Sequence, residues 1–266
     1  MAQADAALIS AGYNWQLMRI ENRPGGYSFL KGISPYSGGV AALLGFEIVH
    51  VRLERAIPLE RGFAAIDQYL ESQRRPRHAL CAVELRSPRP FTFQGFQEFN
   101  QGYVSILQRW GLLLDGVNPV ARTNVAPHLL APGEPVVYGF SVTVPAQNAP
   151  ASFVIAGSGE LPEGSLDPHD VIRRGETSAD AMREKAGFVM NLMSARLAGL
   201  DASWKQVTAT QVYTVQNIHP FIEQEILAAM QEASLQGIHW HYARPPIESI
   251  EYEMDLRGCR LEVILA

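Results

Sequence analysis

Cysteine is scarce. The 266 residues hold two, Cys81 and Cys259, in no C-x-x-C or other metal-ligand spacing. That leaves no disulfide framework to build on and suits a chain kept reduced in the cytoplasm. The opening MAQADAALISAGYNWQLM lacks a basic stretch followed by a continuous apolar one, so no signal peptide is read there. No apolar run approaches the ~20 residues that cross a bilayer, so no membrane partner is expected. Charge is thin as well: 18% of residues are charged and the net charge is −5. Phosphate backbones call for clustered Lys and Arg, and the runs QRRPRH and VIRRGE are too short, so nucleic acid is not an expected partner. The glycines of GGYSFLKGISPYSGG lack the strand-to-helix setting and the Lys-Ser/Thr of a phosphate loop, and no G-x-S-x-G elbow or H-E-x-x-H appears.

What the chain does have is apolar material, 47% of its residues, arranged in a repeating order of elements. In the second half SFVIAGSGELPEG reads as a strand ending in a glycine turn. The next segment places Ala186, Val189, Met190, Met193 and Leu197 at helical spacing, with Thr177 or Ser178 as cap and Gly199 as terminator. DASWKQVTATQVYTV is a strand, and HPFIEQEILAAMQEASLQG is a helix with Ile222, Ile226, Met230 and Ala233 in one stripe. IHWHYARPPIESIEYEMD and CRLEVILA close as strands. The first half repeats strand, helix, strand, helix, strand, strand, with Leu59, Phe63, Ile66 and Leu70 on one helix and Phe96, Phe99, Tyr103 and Leu107 on the other. The Pro-rich junction VPAQNAPAS marks a linker, giving two α/β units, 1–147 and 148–266.

Several segments resemble the RidA/YjgF-like reactive-intermediate deaminases. SGELPEG resembles the family's early glycine turn, and KAGFVMNLMSARLAGLDASWKQVTATQVYTV its helix and following strand. Phe96, Asn100 and Tyr103 match an F-x3-N-x2-Y helix, and VARTNV resembles the P-A-R-[ST] strand. The resemblance implies an α/β (α+β) fold of two tandem chorismate-mutase-like units, each a mixed sheet with two helices on one face. It also implies a homotrimer with pockets at interfaces, and hydrolysis of imines or enamines without a cofactor. By motif position the family's arginine falls on Arg244 and its glutamate on Glu262. In the first half Arg122 matches the arginine, Tyr138 stands at the glutamate's place, and the pocket tyrosine is Tyr27 or Tyr36. That half therefore reads as a degenerate copy.

The chemistry suits a small carboxylate substrate. A guanidinium fork makes two parallel bonds to a carboxylate, and a glutamate orients water or takes its proton. By the resemblance, Arg244 and Glu262 are the expected catalytic pair, with Arg122, Tyr138, Asn100 and Tyr27 as binding residues. Glu262 sits in the apolar run LEVILA, which is costly unless it faces a partner; its bland alternative is a structural ion pair or a surface glutamate. If Arg257-Gly258 makes a tight hairpin, Glu262 lies opposite Glu253. His239 and His241 share one side of a strand and could hold a metal with Cys259 or His219 as third ligand, but no H-E-x-x-H or C-x-x-C supports it, and packing or pocket lining is the preferred reading. The expected activity is deamination of an imino, enamine or unsaturated carboxylate such as an aminomuconate-like catabolic intermediate. The alternatives are a chorismatase-like lyase or hydrolase and a non-catalytic ligand-binding oligomer.

Overall fold

Apolar spacing and local caps set the helices. Leu59–Ser72 (α1) buries Phe63, Ile66 and Leu70 in one stripe. Phe93–Arg109 (α2) buries Phe96, Asn100, Tyr103 and Leu107, and its first turn is closed by Thr92, whose Oγ1 accepts the Gly95 N–H at 3.0 Å. Ala179–Gly199 (α3) starts at Ser178, which caps Ala181 N–H at 3.2 Å. Its end corrects one expectation. Gly199 is still helical, and Asp201, at φ +56°, is the left-handed residue beyond it. Gly199 is small for another reason, since a Cβ there would press on Leu30. The expected fourth helix is irregular. A π turn over Ile222–Leu227 passes through Ala228–Met230 into a 3₁₀ stretch, Gln231–Gln236, with Gln231 at φ +53°. Ile226, Met230 and Ala233 still reach the core.

In this computed structural model, which describes residues 17–266, the strands form two mixed sheets. They are β1 Arg19–Asn22, β2 Tyr27–Leu30, β3 Gly39–Ala42, β4 Phe46–Pro58, β5 Leu80–Arg86, β6 Ala121–Pro127, β7 Val136–Pro145, β8 Phe153–Gly159, β9 Ala209–Tyr213, β10 His239–His241, β11 Ala243–Arg244, β12 Glu253–Gly258 and β13 Leu261–Leu265. The six-stranded sheet runs β11-β6-β5-β7-β4-β13 and the seven-stranded sheet β1-β2-β3-β8-β12-β9-β10. Within them the sub-orders β4-β7-β5-β6 and β8-β12-β9-β10 match. The additions to each sheet cross over. β1–β3, from the start of the chain, extend the sheet of the second half through β3 on β8, while β13, from its end, pairs in parallel with β4.

That last pairing overturns the expected hairpin. Both edges of β12 are taken, by β8 and β9, so the chain after Gly258 cannot fold back on it. It crosses to β4 and sets Glu262 opposite His50 rather than Glu253.

α1 and α2 cover the six-stranded sheet through Phe63, Ile66, Leu70 and Leu107 against Val83, Leu85 and Phe140. α3 and the irregular helix cover the other through Met182, Val189 and Met193 against Ile155, Met254 and Leu256. The inner faces of the sheets meet. One part of that seam is apolar, with Tyr27, Phe29, Ile48, Val154 and both cysteines, each a free thiol. The other part is polar. Period-2 alternation along β12 turns Met254 and Leu256 to the helices and Glu253, Asp255 and Arg257 to the seam. Among the described residues no helix is long and apolar enough to cross a membrane.

Candidate active site

A cleft with about 600 Å3 of empty space, its open mouth included, lies where β6 of one sheet meets β8 and β12 of the other. Arg122 and Asn124 come from β6, Gly157–Gly159 from β8, and Glu253 from the start of β12. Tyr36, Phe96, Arg196 and the loop through Glu163 complete the wall.

Arg122 is buried among rings. Its guanidinium carbon lies 5.0 Å from the centroid of Tyr36, 4.8 Å from Tyr103 and 5.5 Å from Phe96. Aromatic faces stabilise a cation but accept none of its N–H groups in the plane of the fork. Nε and Nη1 of Arg122 are accordingly buried with no hydrogen-bond partner. Such donors are costly to leave unmade, and a carboxylate entering the cleft would satisfy them. Asn124 adds a donor of the same kind. Ser87 Oγ donates to its Oδ1 at 2.9 Å, which fixes the amide and leaves Nδ2 unpartnered.

Glu253 is the carboxyl facing this cation. Burial first, then repulsion from Asp255, raise its pKa well above the ordinary range, against the opposing pull of Arg122. A carboxyl so placed is biased toward its protonated form. Its position is fixed from behind by Glu160, whose carboxylate accepts Glu251 N–H at 2.7 Å and Tyr252 N–H at 3.0 Å while paired with buried Lys185 at 2.9 Å. The glycine turn makes room, since a Cβ on Gly157 would collide with Glu253 Oε1. Arg196 lines the cleft but has every nitrogen engaged, by Glu163 at 2.8 and 3.1 Å and by the Ala156 carbonyl at 3.0 Å. The cleft thus combines a guanidinium unpartnered at two nitrogens with a carboxyl whose affinity for its proton is raised by burial, which suits binding a carboxylate and exchanging a proton beside it.

The residues expected from sequence are dispersed. Arg122 is in this cleft, and of the two tyrosines offered for it Tyr36 is there. Tyr27 is buried in the apolar seam and donates to the Leu80 carbonyl at 2.9 Å. Asn100 lines a neighbouring groove with Ser34, Pro35 and Leu166, its Oδ1 unpartnered. Arg244 and Glu262 share no pocket. Arg244 pairs with Glu251 at 3.4 Å in a shallow groove with Arg89 and Pro90. The Glu262 side chain is 61% exposed and rests 3.4 Å from Arg257, so the burial cost that pointed to it is not incurred. It lies with Tyr138 in a second cleft, where Arg86 stacks 4.0 Å above the tyrosine ring. His239 and His241 are there too, bridged by Gln211. Glu253 was missed, although an acid at every second position of IEYEMDL, alternating with Tyr252, Met254 and Leu256, was the available signal.

Among solved structures, a chorismatase aligns with a TM-score of 0.43 at 9% identity, covering 92% of this chain and 79% of its own. A cyanuric acid hydrolase aligns with a TM-score of 0.41 at 11% identity, covering 80% of this chain and 67% of its own. The 2-amino-5-chloromuconate deaminase of Comamonas testosteroni is 43% identical over 245 residues, 91% of this chain and 97% of that protein. Residues 19–263 match the family described as 2-aminomuconate deaminase CnbZ, and the chain belongs to that family.

Proposed function

We propose that the cleft between β6 and β12 hydrolyses the enamine of a 2-aminomuconate-class dicarboxylate, releasing ammonia and leaving a 2-oxo acid. The observation that carries this reading is the buried guanidinium of Arg122, unpartnered at two nitrogens, in one cleft with the buried carboxyl of Glu253, whose pKa burial raises. Arg122 holds the carboxylate next to the amino-bearing carbon, with Asn124 Nδ2 as an added donor. The proton of Glu253 goes to the enamine carbon, which turns the C–N bond into an iminium. The Glu253 carboxylate so formed takes a proton from water as the oxygen adds to the amino-bearing carbon of the iminium. The carbinolamine then collapses: Glu253 gives its proton to the nitrogen, the C–N bond breaks, ammonia leaves, and the hydroxyl proton returns to Glu253 as the carbonyl forms. One water is consumed and one ammonia released, with no change of oxidation state.

The test is ammonia release from freshly generated 2-aminomuconate. Arg122→Ala and Glu253→Gln, shown to be folded, lose activity by about 10²–10⁴-fold, the usual size of a positioned acid–base group. Arg244→Ala keeps it within a few-fold. Full activity in both folded cleft variants, or loss in Arg244→Ala alone, would move the site elsewhere.

A further inference from the structure

The matching sub-orders β4-β7-β5-β6 and β8-β12-β9-β10 create a second place like the first. The active-site cleft forms where β6 meets β8 and β12. Its counterpart is where β10 meets β4 and β7, and a cleft with about 650 Å3 of empty space lies there. β10 contributes His239 and His241, β4 His50 and Arg52, β7 Tyr138; Glu84, Arg86, Gln211, Arg257 and Glu262 complete the lining.

This cleft is built rather than incidental. Arg86 is buried between two rings, 4.0 Å from Tyr138 and 5.6 Å from Tyr213, with Nη1 donating to the Leu85 carbonyl at 2.9 Å and Nη2 at 3.9 Å from Glu84, beyond hydrogen-bond reach. Gln211 holds both histidines in set tautomers. Its Oε1 accepts His241 Nε2–H at 2.7 Å, and its amide nitrogen donates to His239 Nδ1 at 3.1 Å, which leaves the His239 proton on Nε2. Arg257 has a buried, unpartnered Nε, and the exposed Glu262 carboxylate rests against its Nη2. The local field favours anions: Glu84, though buried, is pulled down to about 2 by Arg257, His50 and Arg86.

We infer that this cleft is a second binding site for a small carboxylate. Arg257, Arg86 and His239 Nε2–H are its donors, Tyr138 is its wall, and Glu262, 3.4 Å from Arg257 Nη2, is the side-chain carboxylate that occupies the place of the ligand's own when none is bound. It differs from the catalytic cleft in that its buried carboxyl, Glu84, is pulled down by the surrounding cations where Glu253 is raised, so it binds without turning over.

The probe is cis,cis-muconate, a conjugated dicarboxylate with no amine to release, titrated calorimetrically into the full chain. Wild type takes two equivalents per chain. Arg122→Ala takes one, and adding Arg86→Gln weakens that remaining site at least tenfold. Because Arg86 is buried, Glu262→Gln on the Arg122→Ala background serves as the variant that keeps its fold, and it tightens the remaining site several-fold. The His239 and His241 ring signals move with that site. A single equivalent in wild type, no binding in Arg122→Ala, or weaker binding in Glu262→Gln would overturn the inference. Failure of the deaminase reading would show differently, as a remaining Arg86-dependent site in a protein that releases no ammonia.

Discussion

Glu84 is where the charge balance of the seam is decided. It pairs with Arg257 at 2.7 Å, lies 3.5 Å from His50, and has little contact with water. Its own burial opposes ionisation, yet the surrounding cations hold its pKa at about 2, below the ordinary 4.5. Depressed in the folded state, it adds stability that is complete above about pH 4.5 and is lost as pH falls toward 2. Glu84→Gln removes that contribution and leaves Arg257 buried with its nearest anion gone. Breaking one side of a buried pair costs about 3–5 kcal/mol, and that loss is expected in urea unfolding at pH 7. The gap to wild type should narrow as unfolding is repeated from pH 5 down to pH 3. A gap constant over that range would mean that the charge of Glu84 is not what stabilises the seam. Asp255 has the opposite sign. Burial and Glu84 raise it to about 6, so its contribution is complete below about pH 3.8 and fades as pH rises through 6.

At the scale of elements, the site depends on how closely β8 approaches the start of β12. Their register shifts between Met254 and Leu256, and Gly157 leaves the space that the Glu253 carboxyl fills. Gly157→Ala therefore displaces Glu253 most, with a lesser push on the Thr123 side chain beside Arg122. A displacement near 1 Å costs about 10²-fold in turnover, so kcat should fall by that order with muconate affinity changed little. Equal loss in kcat and affinity would instead mean that the turn collapses the whole cleft. Much of this layer was legible beforehand. The stripes of Phe63, Ile66 and Leu70 and of Phe96, Tyr103 and Leu107 are local periodicities, and they form because a helix needs only its own residues to show its buried face. Arg122 was legible for a similar reason, through a short motif around it. The partner of β13 was not. Which edge it joins depends on which edges are already filled, and that is a property of the assembled sheet. The expectation for Glu262 rests on its motif position and on an apolar run being buried; on an edge strand much of that run is open to solvent.

For the whole molecule, the crossing strands make each sheet depend on both ends of the chain. A cut at 147/148 would separate β3 from β8 and β13 from β4, and would part β11 from β6 as well. The fragment 148–266 would expose the edge of β8 and carry β13 with nothing to pair with. The fragment 1–147 would expose both edges of its sheet, including the 13 residues of β4, and leave β1–β3 without their support. Long unpaired edges recruit other chains, so aggregation is the expected fate of each piece alone. The cut also divides the site, since Arg122 lies on one fragment and Glu253 on the other. Expressed separately, neither fragment should show a dispersed amide spectrum or a cooperative unfolding transition. Co-expressed, the two should pair their exposed edges, elute as one complex and recover ammonia release. A cooperative transition for 148–266 alone would mean that β8, β12 and β9 with α3 form a self-sufficient core and that the exchanged strands are additions to it. Co-expressed fragments that fold but stay inactive would mean that the covalent link at 144–152 is needed to bring β6 up to β12 at the distance the cleft requires.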